Sequence, residues 1–122
     1  MRVFLTVLLL VVATPGCAIT IAEYLEAKER KNPAEAARHQ MYIQGFGSGF
    51  SSANAILETK RQARLYCQPE NFDAKAINYQ RILDDEIARL IAKASAAQKP
   101  RIMALDIDVP LFGGLEEMFP CR

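Results

Sequence analysis

The chain is poor in the features that mark a reaction centre, a membrane span or a nucleic-acid surface. Its single histidine, His39, has no nucleophile and orienting partner placed beside it by any motif, so it reads as an ordinary helix histidine. The longest apolar run, Val3 to Ala13, is well short of the ~20 residues that cross a bilayer as a helix. Asp106-x-Asp108 lacks the further oxygen ligands and central glycine of a calcium loop and reads as turn and cap. Gly45-x-Gly47-x-Gly49 has neither the spacing nor the Gly-Lys-Ser/Thr ending of a phosphate-binding loop. Asp84-Asp85-Glu86 and Glu116-Glu117 look like charged helix faces rather than a glycosidase acid–base pair. The expectation is no catalytic residue, no metal ligand and no cofactor: a protein that binds or is bound, not an enzyme.

What is present begins at the N-terminus. Arg2, the apolar run and the small residues up to Ala18 have the form of a secretory signal over residues 1–18. Cleavage after Ala18 is one outcome. The other is lipoprotein processing at Gly16-Cys17, leaving a lipidated Cys17 as the first residue, although Thr14 replaces the usual lipobox Leu. Either way the product is exported, expected in the periplasm, and on a membrane only if Cys17 is lipidated. Arg2 is the only charge in the signal, so the remaining 104 of 122 residues carry 14 charges of each sign. A neutral chain without a basic stretch has no electrostatic footprint for nucleic acid. That length is one domain, residues 19–122.

Export leaves two cysteines, Cys67 in Leu65-Tyr66-Cys67-Gln68-Pro69 and Cys121 in the terminal Phe119-Pro120-Cys121. In an oxidising compartment they are expected to pair and staple the tail of a small domain. The fold class expected is all-α, a disulfide-stapled bundle of about four helices. Thr20-x-x-Glu23 is a capping box and starts a short helix to about Lys31. Asn32-Pro33-Ala34-Glu35 repeats the signal, with Asn32 as N-cap and Pro33 at the first helical position of a long helix to about Arg61. Phe46, Phe50, Ala53 and Leu57 form one stripe at the 3.6-residue period. Beside it run Gly45, Gly49 and Ser52, where bare backbone lets another helix approach closely. Each glycine costs about 1 kcal/mol in a helix interior, which argues that the glycines have a packing role.

The segment Tyr66 to Phe72 reads as a loop. A third helix is expected from near Asp73, capped by Asn71 or Asp73, to about Ala97. Its apolar stripe is Tyr79, Leu83, Ile87, Leu90, Ile91 and Ala94, with Asp84, Asp85, Glu86 and Arg89 on the wet side. Arg101 to Val109 reads as an extended lead-in. Asp108 then caps a last short helix that turns Leu111, Leu115 and Met118 inward and is weakened by Gly113-Gly114.

Taken in order, Tyr42-Ile43-x-Gly45-x-Gly47-x-Gly49, Ala53-Asn54, Leu65-Tyr66-Cys67-x-Pro69 and Phe119-Pro120-Cys121 resemble the Rap/Tai-type immunity proteins, small exported helical proteins associated with type VI secretion. The resemblance runs from about Tyr42 to Cys121, with a longer stretch than is typical between about Ala92 and Asp108. It implies a periplasmic inhibitor that occludes the cleft of a peptidoglycan-cleaving amidase effector, often as a homodimer. It assigns structural roles to Gly45, Gly49, Cys67 and Cys121 and matches no motif to the partner-binding residues. The loop from Tyr66 to Phe72 and the stretch after Ala96 are the two candidate inhibitory elements. Two other classes fit such a chain: a periplasmic acid-stress chaperone, which unfolds partly at low pH, and an envelope lipoprotein accessory subunit, which carries lipid on Cys17.

Overall fold

Two side chains near the start determine how the first two helices begin. The computed structural model describes residues 18–69 and 77–122; the expected signal, Cys17 and the expected caps Asn71 and Asp73 lie outside the described residues. Helix α1 spans Ile21–Arg30. The Thr20 hydroxyl accepts from the Glu23 N–H at 3.3 Å, and the Thr20 N–H donates to the Glu23 carboxylate at 2.8 Å. Lys31 closes α1 in a left-handed conformation (φ 51°). Asn32 then accepts from the N–H groups of Ala34 and Glu35, and Pro33 opens α2, Pro33–Thr59. Both starts stand where the capping residues place them. The long helix ends two residues before Arg61, which is itself left-handed (φ 54°) and turns the chain back.

The middle of the chain departs from the expectation. Helix α3 spans Tyr79–Lys93, capped by Asn78 through the Arg81 N–H at 3.0 Å. It does not run on through the alanines. Ala94 is extended, and the Gln98 side chain accepts from the Ser95 N–H at 3.0 Å, a local turn that competes with the helix. Pro100, compatible with a first helical turn, then opens a short α4, Lys99–Met103, where an extended lead-in was expected. The described residues therefore hold five helices rather than about four. The lead-in survives only around Asp106: the Ile21 N–H donates to Leu105 and the Ile107 N–H to Ile19, both at 2.9 Å. Helix α5 spans Asp108–Met118 with Ile107 as N-cap; Asp108 is the first helical residue, not the cap.

The core lies where α3 meets α1, α2 and α5, and consists of Ile21, Tyr24, Ile43, Tyr79, Ile82, Leu83, Ile87, Ile107, Leu111 and Leu115, with Tyr66 and Ile77 from the loop. Ile82, missing from the expected stripe, is buried, while Leu90 and Ile91 are half-buried. Gly114 explains the closeness of α3 and α5: a Cβ there would lie 2.7 Å from the Ile82 side chain. Gly113-Gly114 therefore weakens α5 as a helix and seats it on α3. Met118, expected inside, is half-exposed at the last turn of α5, over an open cleft beside Ile77 and Arg81. Glu86, expected on the wet side, is buried and receives two hydrogen bonds from Arg89 at 2.7 and 2.6 Å. A buried carboxylate needs such a partner. Tyr24 and Lys28 of α1 both reach Asp84 of α3 at 2.8 Å.

The expected Cys67–Cys121 disulfide is present and closes a separation of 54 residues. In the chain-entropy description a loop of that size contributes about 4 kcal/mol. Cys121→Ser should therefore lower the urea-unfolding free energy by about 3–4 kcal/mol, and reductant should do the same to the wild type. A loss under about 1 kcal/mol would show that packing alone holds the tail.

Candidate functional site

The residues that drew attention in the sequence gather at two places. The first is a clamp at the end of α2. Asn54 is buried there, its Nδ2 donating to the Tyr66 carbonyl at 2.8 Å and its Oδ1 accepting from the Leu65 N–H at 2.7 Å. This satisfies both ends of a buried amide and fixes the loop that presents Cys67. The Cys67 N–H donates to the Phe119 carbonyl at 2.8 Å, next to the disulfide, and the Tyr66 and Phe119 rings lie 6.3 Å apart. Six residues from three separated motifs, Asn54, Leu65, Tyr66, Cys67, Phe119 and Cys121, thus meet in one spot. Asn54 was visible only as part of a dipeptide; its burial and its paired bonds depend on the folded loop. Lys60, Arg61, Gln62, Ala63 and Arg64 stand exposed in front of the clamp.

The second place is the outer side of α2. Gly45 and Gly49, expected to let another helix approach, have none of the described helices packed on them. Among the described residues a Cβ at either would meet nothing within 4 Å, and both are exposed. Gly47 is the glycine that packs, since a Cβ there would lie 2.5 Å from the Tyr79 ring. The helix turns Gly47 toward α3 and leaves its neighbours on the far side. Met41, Tyr42, Phe46 and Phe50 line an open apolar groove of about 590 Å³ floored by Gly45 and Gly49. The ring centroids of Phe46 and Phe50 are 6.1 Å apart, and Phe50 meets Phe112 of α5 at 5.3 Å.

The titratable groups have structural surroundings. His39 is half-buried with its ring 5.8 Å from that of Tyr24, in a cleft shared with Glu23, Arg30, Glu35 and Arg38. The Thr20 backbone N–H, then its hydroxyl, hold the Glu23 carboxyl below its usual range, and the Arg30 hydrogen bond does so for Glu35. Burial, then the Asp84 hydrogen bond, raises the Tyr24 phenol well above its ordinary value. Burial pushes Tyr66 up to about 12, with Tyr79 adding to it, and burial also raises Tyr79. The Tyr79 hydroxyl is buried without a hydrogen-bond partner among the described residues, and the Tyr66 hydroxyl has the Ser51 side chain beside it. No group of three or more His, Cys, Asp or Glu side chains suited to a metal occurs among the described residues. Asp106 and Asp108 form no such group, and Glu116 and Glu117 are exposed. No helix among the described residues is long and apolar enough to cross a membrane. The chain matches no known family profile, no curated protein and no solved structure.

Two predictions follow from these surroundings. Gly47→Ala should destabilise the fold by about 1–3 kcal/mol in urea unfolding, because the Tyr79 ring must move. Gly45→Ala should be neutral or stabilising by up to about 1 kcal/mol; the reverse order would contradict the packing described. The second concerns alkaline pH. A phenol raised from 10 to about 12 in the fold contributes stability in full below pH 10 and loses it as pH rises toward 12. Tyr66→Phe should flatten that alkaline loss in unfolding curves between pH 8 and pH 12.

Proposed function

We propose that this chain is an exported immunity-type protein that binds and occludes a peptidoglycan-degrading amidase effector of type VI secretion in the periplasm. The observation that carries the reading is the clamp. Asn54, Cys67, Phe119 and Cys121 come from the separate motifs on which the family resemblance rests, and they meet at one point of the fold. Occlusion requires no reacting group. It requires a rigid element that enters a cleft and excludes substrate, since ordering a loop in advance removes that cost from binding.

Of the two expected inhibitory elements, the loop from Tyr66, described as far as residue 69, fits better than the stretch after Ala96. The latter forms α4, whose Ile102 and Met103 pack against the core. The residues leading into it carry exposed Arg61 and Arg64, the latter 3.9 Å from Glu58, just before the backbone that Asn54 and the disulfide fix. A cationic tip of this kind suits an acidic rim on the effector.

The test is co-expression and pull-down with the wall-degrading enzymes encoded beside its gene, followed by a peptidoglycan hydrolysis assay. The expected result is a stoichiometric complex in which hydrolysis stops. Arg61→Glu combined with Arg64→Glu should weaken the complex at least about tenfold, equivalent to about 1.4 kcal/mol, with unfolding unchanged. If no such enzyme is bound or inhibited, the function proposed is wrong. Binding that ignores the double substitution removes only the loop from it.

A further inference from the structure

The apolar groove on the outer side of α2 has a polar neighbour. Tyr42 lines the groove and also the cleft that holds Arg30, Glu35, Arg38 and His39, so the two openings share a wall. Arg38 precedes Met41, Gly45 and Gly49 at spacings of three, four and four, which sets it at the N-terminal end of the groove. Between Arg38 and Glu58 the sequence has no Asp, Glu, Lys or Arg, a span of about five helical turns. A solvated helix face ordinarily carries charge. This one carries Met41, 77% exposed, and a row of half-buried rings, Tyr42, Phe46 and Phe50, with neighbouring centroids 4.8 and 6.1 Å apart.

The lining decides what kind of molecule fits. Of the six residues around the groove only Tyr42 has a polar side-chain atom, and its hydroxyl lies against the Ile19 backbone. The backbone groups here are used within the helix. A sugar or an extended peptide laid along the groove would leave hydroxyls or amides without partners on that side. A hydrocarbon chain leaves none. We propose that groove and cleft form one binding site for a free fatty acid, its tail over Gly45 and Gly49 and its carboxylate on Arg38.

The charges of the cleft are disposed for that head group. Glu23 is held by the Thr20 N–H and hydroxyl at 2.8 and 2.9 Å, and Glu35 by Arg30 at 3.1 and 3.2 Å. Among the described residues Arg38 comes no closer than 4.0 Å to a carboxylate oxygen, and 72% of its side chain is exposed. Its guanidinium thus keeps N–H donors for an incoming carboxylate, in the planar two-bond pairing that suits arginine. The tail has matching room. Met41 to Phe50 spans about 14 Å along the helix, the length of a medium acyl chain such as that of laurate. A volume of about 590 Å³ lies within the range of small-molecule sites. Bare glycines let the chain lie against the backbone, where larger side chains would fill the floor. The groove is open along one side, so the dissociation constant is expected in the micromolar range. The site shares no lining residue with the loop after Tyr66 and does not depend on the amidase reading.

The test is titration calorimetry of the oxidised protein carrying Cys17→Ser, which has no thiol there to lipidate, with laurate from about 1 to 300 µM. One laurate should bind per chain. Butyrate, with the same head and little tail, should bind at least about tenfold more weakly. So should dodecyltrimethylammonium, with a like tail and a cationic head. Gly49→Leu should weaken laurate binding at least about tenfold. The thermal midpoint should not fall, because a Cβ there meets nothing within 4 Å among the described residues. Arg38→Glu should reverse the order of laurate and dodecyltrimethylammonium, a change that lost packing alone does not produce. No laurate binding in that range, equal binding of the two head groups, or binding indifferent to Gly49→Leu overturns the proposal. So does laurate affinity that falls as the protein is concentrated, which would give the face to a second copy. An effector complex lost in Gly49→Leu but untouched by laurate overturns it too, and gives the face to the effector.

Discussion

The tie between Cys67 and Cys121 is the constraint on which the rest of this fold depends. Without it, α5 would be a helix with two adjacent glycines and no side-chain hydrogen bond at its N-cap. Its burial of Leu111 and Leu115 is sound, yet its own helical propensity is poor. The disulfide removes most of the freedom that α5 and the loop would have when unfolded. A contribution of about 4 kcal/mol is large for a small domain, whose whole stability is about 5–15 kcal/mol. The glycines then become useful. Gly114 lets α5 settle on Ile82, and Gly113 passes within contact of the Glu86 carboxylate.

The same geometry accounts for the ion pairs. Most are exposed, and pairs such as Arg81–Asp85 or Arg38–Glu35 contribute little in water. Glu86 differs because α5 covers it. Its two hydrogen bonds from Arg89 make its burial tolerable, and the guanidinium in turn holds its own charge more firmly beside the carboxylate. Asp84 does comparable work at the other edge of α3, taking the Tyr24 hydroxyl and the Lys28 ammonium together. α3 is thus joined to α1 by polar contacts and to α5 by close packing. That division explains why its charged run is not uniformly wet.

Helix starts were legible because they are local. Thr20 with Glu23, and Asn32 with Pro33, need only the four residues around them, and both stand where capping chemistry puts them. The disulfide was legible because, with Cys17 read as part of the signal, two of the three cysteines were left to pair. The misses share a cause, which is that periodicity gives a face without saying what covers it. Gly45, Gly47 and Gly49 are equivalent in sequence, and only the position of Tyr79 separates the one that packs from the two that do not. Met118 has the spacing of a core residue but lies where α5 meets an open cleft. The alanines from Ala94 to Ala97 favour helix, and the Ser95–Gln98 turn overrides them. Glu86 gave no sign in sequence that α5 would close over it.

The arrangement gives α2 two separate jobs on opposite sides. Its inner side holds Ile43, Gly47 and Asn54, and Asn54 carries the position of the loop directly into the core. Its outer side holds Met41, Gly45, Gly49 and Ile56, with the flanking aromatics as walls. A change on the inner side shifts Tyr79 or the loop and is felt through the whole domain. A Cβ added at Gly45 or Gly49 on the outer side meets nothing within 4 Å among the described residues. Energetics therefore separate what builds the scaffold from what it presents. The glycines at 45 and 49, which weaken the helix and gain no packing among the described residues, belong with the second.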